Sequence, residues 1–166
     1  MLNEACPMDS QKLNPRSRKD SSRSSQRAYA FQVLYALNFT PGLEVLETTF
    51  DRFRDDSYSS ETGRGSFSWS IIHGVWNNLP KLDEIISSYS KNWKIRRIAR
   101  IELTIMRVAV YEMLYCPDIP VKVAINEAIE LSKNFGDEHS RNFVNGILDA
   151  VARDINNGKF GISKGF

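Results

Sequence analysis

The sequence predicts an all-α protein of about seven helices, arranged as two small helical subdomains. Apolar residues recur at helical spacing in seven segments between residues 24 and 156. No segment alternates apolar and polar residues over a convincing length, so no β-sheet is expected. Prolines and glycines fall between the periodic segments, where they end one helix or start the next. A chain of 166 residues is in the usual range for one domain with a proper core.

Each helix has its own start and stop signals. Ser24 or Ser25 can cap the first helix, and Pro80 suits the first turn of the fourth. Gly136 after Phe135 is a C-terminal glycine signature that ends the sixth. The predicted spans are 24–39, 43–53, 67–78, 80–89, 98–115, 120–135 and 138–156.

Composition divides the chain into three regions. Residues 1–24 are polar and rich in serine and basic residues, so we predict a disordered basic arm that cannot bury enough apolar surface to fold. Residues 25–157 form the helical domain, and residues 158–166 are predicted to be a frayed tail. The break between the two subdomains is expected either in the loop 54–66 or at Leu79-Pro80.

Several classes of protein are disfavoured. No apolar run approaches the roughly 18 residues that span a bilayer. Cys6 and Cys116 are too few and too far apart to suggest disulfides or a zinc site, so the cytoplasm is the expected compartment. Glu127 and Glu130 lie one helical turn apart, but no matching histidines accompany them, as a binuclear metal site in a bundle requires. We predict no enzymatic activity, no metal and no cofactor.

Binding chemistry is better represented than catalysis. The stretch from Tyr89 to Arg107 mixes aromatic and basic side chains, with only Glu102 opposing the cations Lys91, Lys94, Arg96, Arg97, Arg100 and Arg107. Such a mixture can stack on unpaired bases and neutralise phosphates. A solvated helix face with Trp93 in the core explains the same residues equally well. Phe135 and Phe143 also have a structural reading, as a cap contact and a core residue.

Three motifs carry a resemblance to a known family. The first helix contains Arg27, Ala30, Leu34 and Tyr35. The central helix reads MRVAVYEM over residues 106–113, and the C-terminal block includes VAINEA at 123–128 and FVNG at 143–146. In this order and spacing the motifs resemble those of the NusB family of bacterial transcription antitermination factors. The resemblance covers about residues 23–152 and is weak from 54 to 92.

The resemblance implies a fold and a function. NusB-like factors are all-α proteins that bind boxA, a single-stranded element of nascent RNA, together with the ribosomal protein NusE. The complex joins other Nus factors and RNA polymerase, and it supports transcription of ribosomal RNA. The family also implies the RNA-binding residues, which map onto Arg23, Arg27, Gln32, Tyr35, Arg107, Lys133, Phe135 and Phe143. A homodimer of the free protein stays open.

Departures from the family pattern leave two alternatives. The arm is longer and its arginines are diluted, so weaker phosphate anchoring by the arm is expected, offset in part by the basic stretch 91–100. His139 stands where an acidic residue is familiar. One alternative is a protein-interaction module that binds NusE without RNA. The other is the RNA-binding domain of ribosomal RNA cytosine methyltransferases, which would need a further cofactor-binding domain.

Overall fold

The computed structural model describes residues 22–54, 65–91, 93–162 and 164, without the side chains of 53 and 54. Over these residues the fold is all-α and contains no strand, as predicted. Neither the predicted arm up to residue 21 nor most of the predicted loop 54–66 lies within the described residues. The helices are α1 (Arg23–Leu37), α2 (Leu43–Arg54), α3 (Phe67–Asn77), α4 (Leu79–Tyr89), α5 (Arg100–Tyr115), α6 (Val121–Phe135) and α7 (Glu138–Asn156), with a 3₁₀ turn at Ile95–Arg97 before α5.

The helix starts follow from capping side chains, with one difference from the sequence prediction. Ser22 caps α1, because its Oγ accepts the Ser25 N–H at 3.1 Å. The predicted caps, Ser24 and Ser25, are therefore wrong, since both lie inside the first turn. Asp137 caps α7 in the same way by accepting the Ser140 N–H at 2.8 Å. Pro80 lies in the first turn of α4, as expected.

Two groups of helices share one core. α1 packs against α2 and α3, whereas α5 packs against α4, α6 and α7. The division between the groups falls at Leu79-Pro80, the second of the two predicted positions, because α4 has more contact with α5 than with α3. α5 also contacts α1 and α3, so the buried side chains form a continuous cluster across both groups. No described helix is both long and apolar enough to cross a bilayer.

Two glycines are required by close approach. A Cβ on Gly74 in α3 would lie 2.0 Å from Cζ of Tyr111 in α5, so glycine lets these two helices pack closely. Gly136 ends α6 in extended backbone with φ −104°, and it is not the left-handed glycine cap that the sequence suggested. A Cβ there would meet Cβ of Ser140 at 2.9 Å and the Ser132 carbonyl oxygen at 3.0 Å.

The residues after α7 are packed wherever the structure describes them, although the sequence predicts a frayed tail. Phe160 and Ile162 lie against the core. Lys159 Nζ donates to Oδ2 of Asp154 at 2.7 Å. Lys164 Nζ donates to backbone carbonyls at the end of α5 and just beyond it, those of Glu112, Cys116 and Ile119. The domain boundaries as a whole stay a prediction, because residues 1–21 are not described.

Candidate functional site

An apolar groove lies between the second half of α1, the start of α5 and the end of α6. Its volume is about 440 Å³. The lining residues are Phe31, Gln32, Tyr35, Ala36, Phe39, Ile101 and Phe135. Three residues that the resemblance implied, Gln32, Tyr35 and Phe135, therefore meet in one place. α1 brings most of them together because residues three and four apart share a helix face.

Aromatic rings form a continuous row in the groove. Phe31 lies 4.7 Å from Phe135 between ring centroids, and 5.9 Å from Tyr35 in a stacked arrangement. Tyr35 in turn meets the edge of Phe39 at 5.4 Å. Phe39 is 61% exposed, which is unusual for so large an apolar side chain. The row therefore offers aromatic surface to a ligand from solvent.

Cations stand at the border of this row. The Arg100 guanidinium lies 4.8 Å from the centroid of the Phe39 ring, and its Nη1 donates to the Asn38 carbonyl at 2.9 Å. Lys133, two residues before Phe135, pairs with Glu130 at 2.6 Å on the surface. Exposed pairs of this kind are worth less than about 1 kcal/mol, so Lys133 can exchange Glu130 for a phosphate. The groove thus combines stacking surface, cations and the Gln32 amide, a set suited to single-stranded RNA.

Arg27 is not part of this surface, which corrects the implied site. Its side chain is 3% exposed and its Nε donates to Oε1 of Glu112 at 2.7 Å. Nη1 lies 3.6 Å from Oε2 of Glu127, and the guanidinium lies 5.1 Å from the Phe67 ring centroid. A buried guanidinium with two carboxylates has little capacity left for a phosphate. Its place in the structure is that of a link between α1, α5 and α6.

Arg107 is also occupied by protein groups. Its Nε and Nη2 each donate to Asp83 at 2.7 Å, a two-pronged pair that joins α5 to α4. Nη1 donates to Oδ1 of Asn38 at 3.2 Å. Only 14% of the side chain is exposed. Asp83 therefore takes the place that a phosphate was expected to fill.

Two further implied residues lie away from the groove row. Arg23 is exposed at the start of α1, where it pairs with Asp118 at 2.8 Å and lies 5.0 Å from the Phe67 ring centroid. It is about 18 Å along the helix from Tyr35, at 1.5 Å per residue. Phe143 is half-buried on α7 and packs against the core. An RNA role for either residue stays a prediction.

The sequence analysis missed some residues of the groove and explained others only in part. Phe39 and Arg100 were not among the implied contacts, although an aromatic residue just before Pro41-Gly42 is a signal that a ring sits at a helix end. Glu127 and Glu130, the acidic pair considered for a metal, bind cations of this chain, Arg27 and Lys133.

Comparison with known proteins identifies the family. A model described as the NusB family matches residues 24–153. The chain belongs to the NusB family. Two relatives are named transcription antitermination protein NusB. The one from Nitratidesulfovibrio vulgaris strain DSM 19637 / Miyazaki F is 47% identical over 85% of this chain and 93% of its own. The one from Oleidesulfovibrio alaskensis is 52% identical over 84% and 92%.

Solved structures agree with this assignment. T. maritima NusB is 33% identical, covers 81% of this chain and 93% of its own, and superposes with a TM-score of 0.73. A structure of the antitermination factors NusB and NusE in complex with dsRNA covers 84% and 98% with a TM-score of 0.66. At 20% identity it establishes the shared fold alone. The predicted NusB fold and the prediction of a protein that is not an enzyme are confirmed by these relationships.

Proposed function

We propose that this protein is a cytoplasmic transcription antitermination factor that binds boxA-type single-stranded RNA together with NusE and supports ribosomal RNA transcription. Other Nus factors and RNA polymerase are its indirect partners. Two NusB relatives at 47% and 52% identity carry the name of an antitermination protein. A neighbour with the same fold is described as a complex with NusE and RNA, which supports the choice of partners.

The observation that carries the proposal is the exposed aromatic row of the groove. Unpaired bases stack on Tyr35, Phe39 and Phe135, because every base has a flat apolar face and duplex RNA does not expose it. The amide of Gln32, half-buried in the same groove, donates to or accepts from a base edge. Lys133 and Arg100 at the border hold the phosphates. No cofactor takes part in this recognition.

The proposal is tested by fluorescence anisotropy with a labelled boxA-type RNA and a scrambled RNA of the same composition. Each RNA is titrated with the full chain, with and without NusE, at two salt concentrations. We expect selective binding of the boxA sequence, tighter in the presence of NusE. A Gln32→Ala variant is expected to lose selectivity between the two RNAs more than total affinity, because an amide that reads a base edge contributes sequence information.

Two results would contradict the proposal. Binding of NusE without preference for either RNA would indicate the protein-interaction module instead. Equal affinity for boxA and scrambled RNA, with the same steep fall at high salt, would indicate a sequence-independent contact with phosphates alone.

A further inference from the structure

We propose that residues 91 and 93–100, here called the basic segment, form a second RNA-binding surface that holds the nucleotides flanking boxA. The inference rests on the proposed function, since it extends the path of the RNA beyond the groove. The surface consists of the connection between α4 and α5 and of the 3₁₀ turn within it. Its partner is the sugar-phosphate backbone of single-stranded RNA together with one unpaired base.

The charge of the basic segment is one-sided. It contains five cations and no acidic residue, and all five cations are exposed: Lys91, Lys94, Arg96, Arg97 and Arg100. None of them forms an ion pair with an acidic residue of the described chain. In contrast, the exposed cations Arg23, Lys81 and Lys159 each have a carboxylate partner. Positive charge without a protein partner in a protein of net charge +2 attracts a polyanion locally.

Trp93 displays its ring to solvent from the same segment. The residue is 53% exposed, and no ring of the described residues stacks on it, so the explanation that placed Trp93 in the core is wrong. An exposed indole beside cations offers a base both a stacking partner and charge for its phosphate. The sequence alone could not decide between these two explanations, because periodicity gives no information in a segment without a regular helix.

The backbone of the basic segment is fixed, which makes the display specific. Ile98 is buried and Ile95 is half-buried against the core. The Trp93 N–H donates to the Ser90 carbonyl at 2.9 Å, and Ser90 Oγ donates back to the Trp93 carbonyl at 3.0 Å. The two isoleucines and this reciprocal pair anchor the segment between its cations. A bound RNA therefore does not have to order the backbone that binds it.

The basic segment is continuous with the groove. Arg100 belongs to both, because its guanidinium covers the Phe39 ring while its backbone begins α5. The next residue, Ile101, lines the groove. An RNA whose bases stack on Phe39 therefore has its backbone directed past Arg100 toward Arg97 and Trp93. This adjacency makes one extended site more plausible in physical terms than two separate ones.

The experiment compares a short RNA that contains boxA alone with the same RNA extended by ten nucleotides on each side. The test variant is K91Q/K94Q/R96Q/R97Q, and the matched control R52Q/K81Q/K122Q/R153Q changes the net charge equally with exposed residues on α2, α4, α6 and α7. All proteins are the full chain, and thermal unfolding checks their stability. For the extended RNA, we expect the test variant to lose about tenfold or more in affinity at 0.1 M salt, with a shallower salt dependence by about 0.7 per phosphate released.

The short RNA separates this inference from the proposed function. We expect the test variant to bind the short RNA within about threefold of the parent, and Trp93→Ala to weaken only the extended RNA, by about tenfold. Equal losses for the short and the extended RNA, equal losses in the control variant, or no loss for the extended RNA would each overturn the inference. If the parent protein does not prefer boxA in the short RNA, the proposed function itself fails.

Discussion

Arg27 and Glu112 form a buried ion pair that joins α1 to α5. Arg27 Nε donates to Oε1 of Glu112 at 2.7 Å, and the two side chains are 3% and 1% exposed. Burial raises the pKa of Glu112 to about 6, and the Arg27 guanidinium opposes that rise. Because the folded pKa lies above the unfolded value near 4.5, this group's contribution to stability is fully present below pH 4.5. It is lost as the pH rises through 6, by about 2 kcal/mol.

Replacing Arg27 tests the pair directly. Arg27→Gln leaves the Glu112 carboxylate buried without its nearest cation, which costs about 3 kcal/mol in the free energy of unfolding at pH 8. At pH 5 we expect a smaller loss, because Glu112 is protonated and needs no cation. Urea unfolding at both pH values measures this. Arg23→Gln, which breaks the exposed pair with Asp118, is the control and should cost less than about 1 kcal/mol. A loss for Arg27→Gln that is the same at both pH values would contradict the assignment.

The contact of Gly74 with Tyr111 predicts a strong effect of one methyl group. Gly74→Ala places a Cβ 2.0 Å from Cζ of Tyr111, so the ring or the helix must move. We expect a loss of about 2 to 3 kcal/mol in the free energy of unfolding, as for other overpacked cores. Gly146→Ala in α7 is the matched control, because a Cβ there meets nothing within 4 Å. It should stabilise the helix by about 0.5 kcal/mol. Thermal unfolding of both variants decides between these outcomes.

Phe39 is predicted to be a stacking residue that sequence reasoning did not find. Since its ring is 61% exposed, Phe39→Ala should change the melting temperature little. It should lower the affinity for boxA RNA by about tenfold, corresponding to one lost base stack. Tyr115→Ala removes another exposed aromatic ring, about 21 Å along α5 from Ile101, and should leave RNA binding unchanged. Anisotropy titrations of both variants make the comparison; equal effects would argue against the groove.

Arg107 separates the structural role from the role implied by the family resemblance. Arg107→Gln removes both hydrogen bonds to Asp83, so we expect a loss of about 1 to 3 kcal/mol in stability. RNA affinity should change less than about threefold, because the guanidinium already has protein partners. Unfolding and anisotropy measured on the same preparation give both values. A tenfold loss of RNA affinity with unchanged stability would restore Arg107 to the RNA site.

The extent of sequence prediction differs between the helices and the site. Apolar periodicity and proline positions located all seven helices, because these signals are local. The burial of Arg27 was not predictable, since its partner Glu112 lies 85 residues away and no spacing rule joins them. Arg107 and Asp83 present the same difficulty across 24 residues. The helical resemblance nevertheless brought Gln32, Tyr35 and Phe135 together correctly, since α1 places two of them on one face.

Polar contacts tie α1 and α5 together at both ends of an antiparallel pair. Arg27 meets Glu112 at one end, and Asn38 meets Arg100 and Arg107 at the other, about 16 Å along α1. Because a seam fixed at both ends cannot hinge, the two helices should exchange their amide hydrogens for deuterium as one cooperative unit. The groove lies along this seam, so its shape is set by the same unit that must unfold globally. RNA therefore meets a preformed site and should slow exchange in both helices equally.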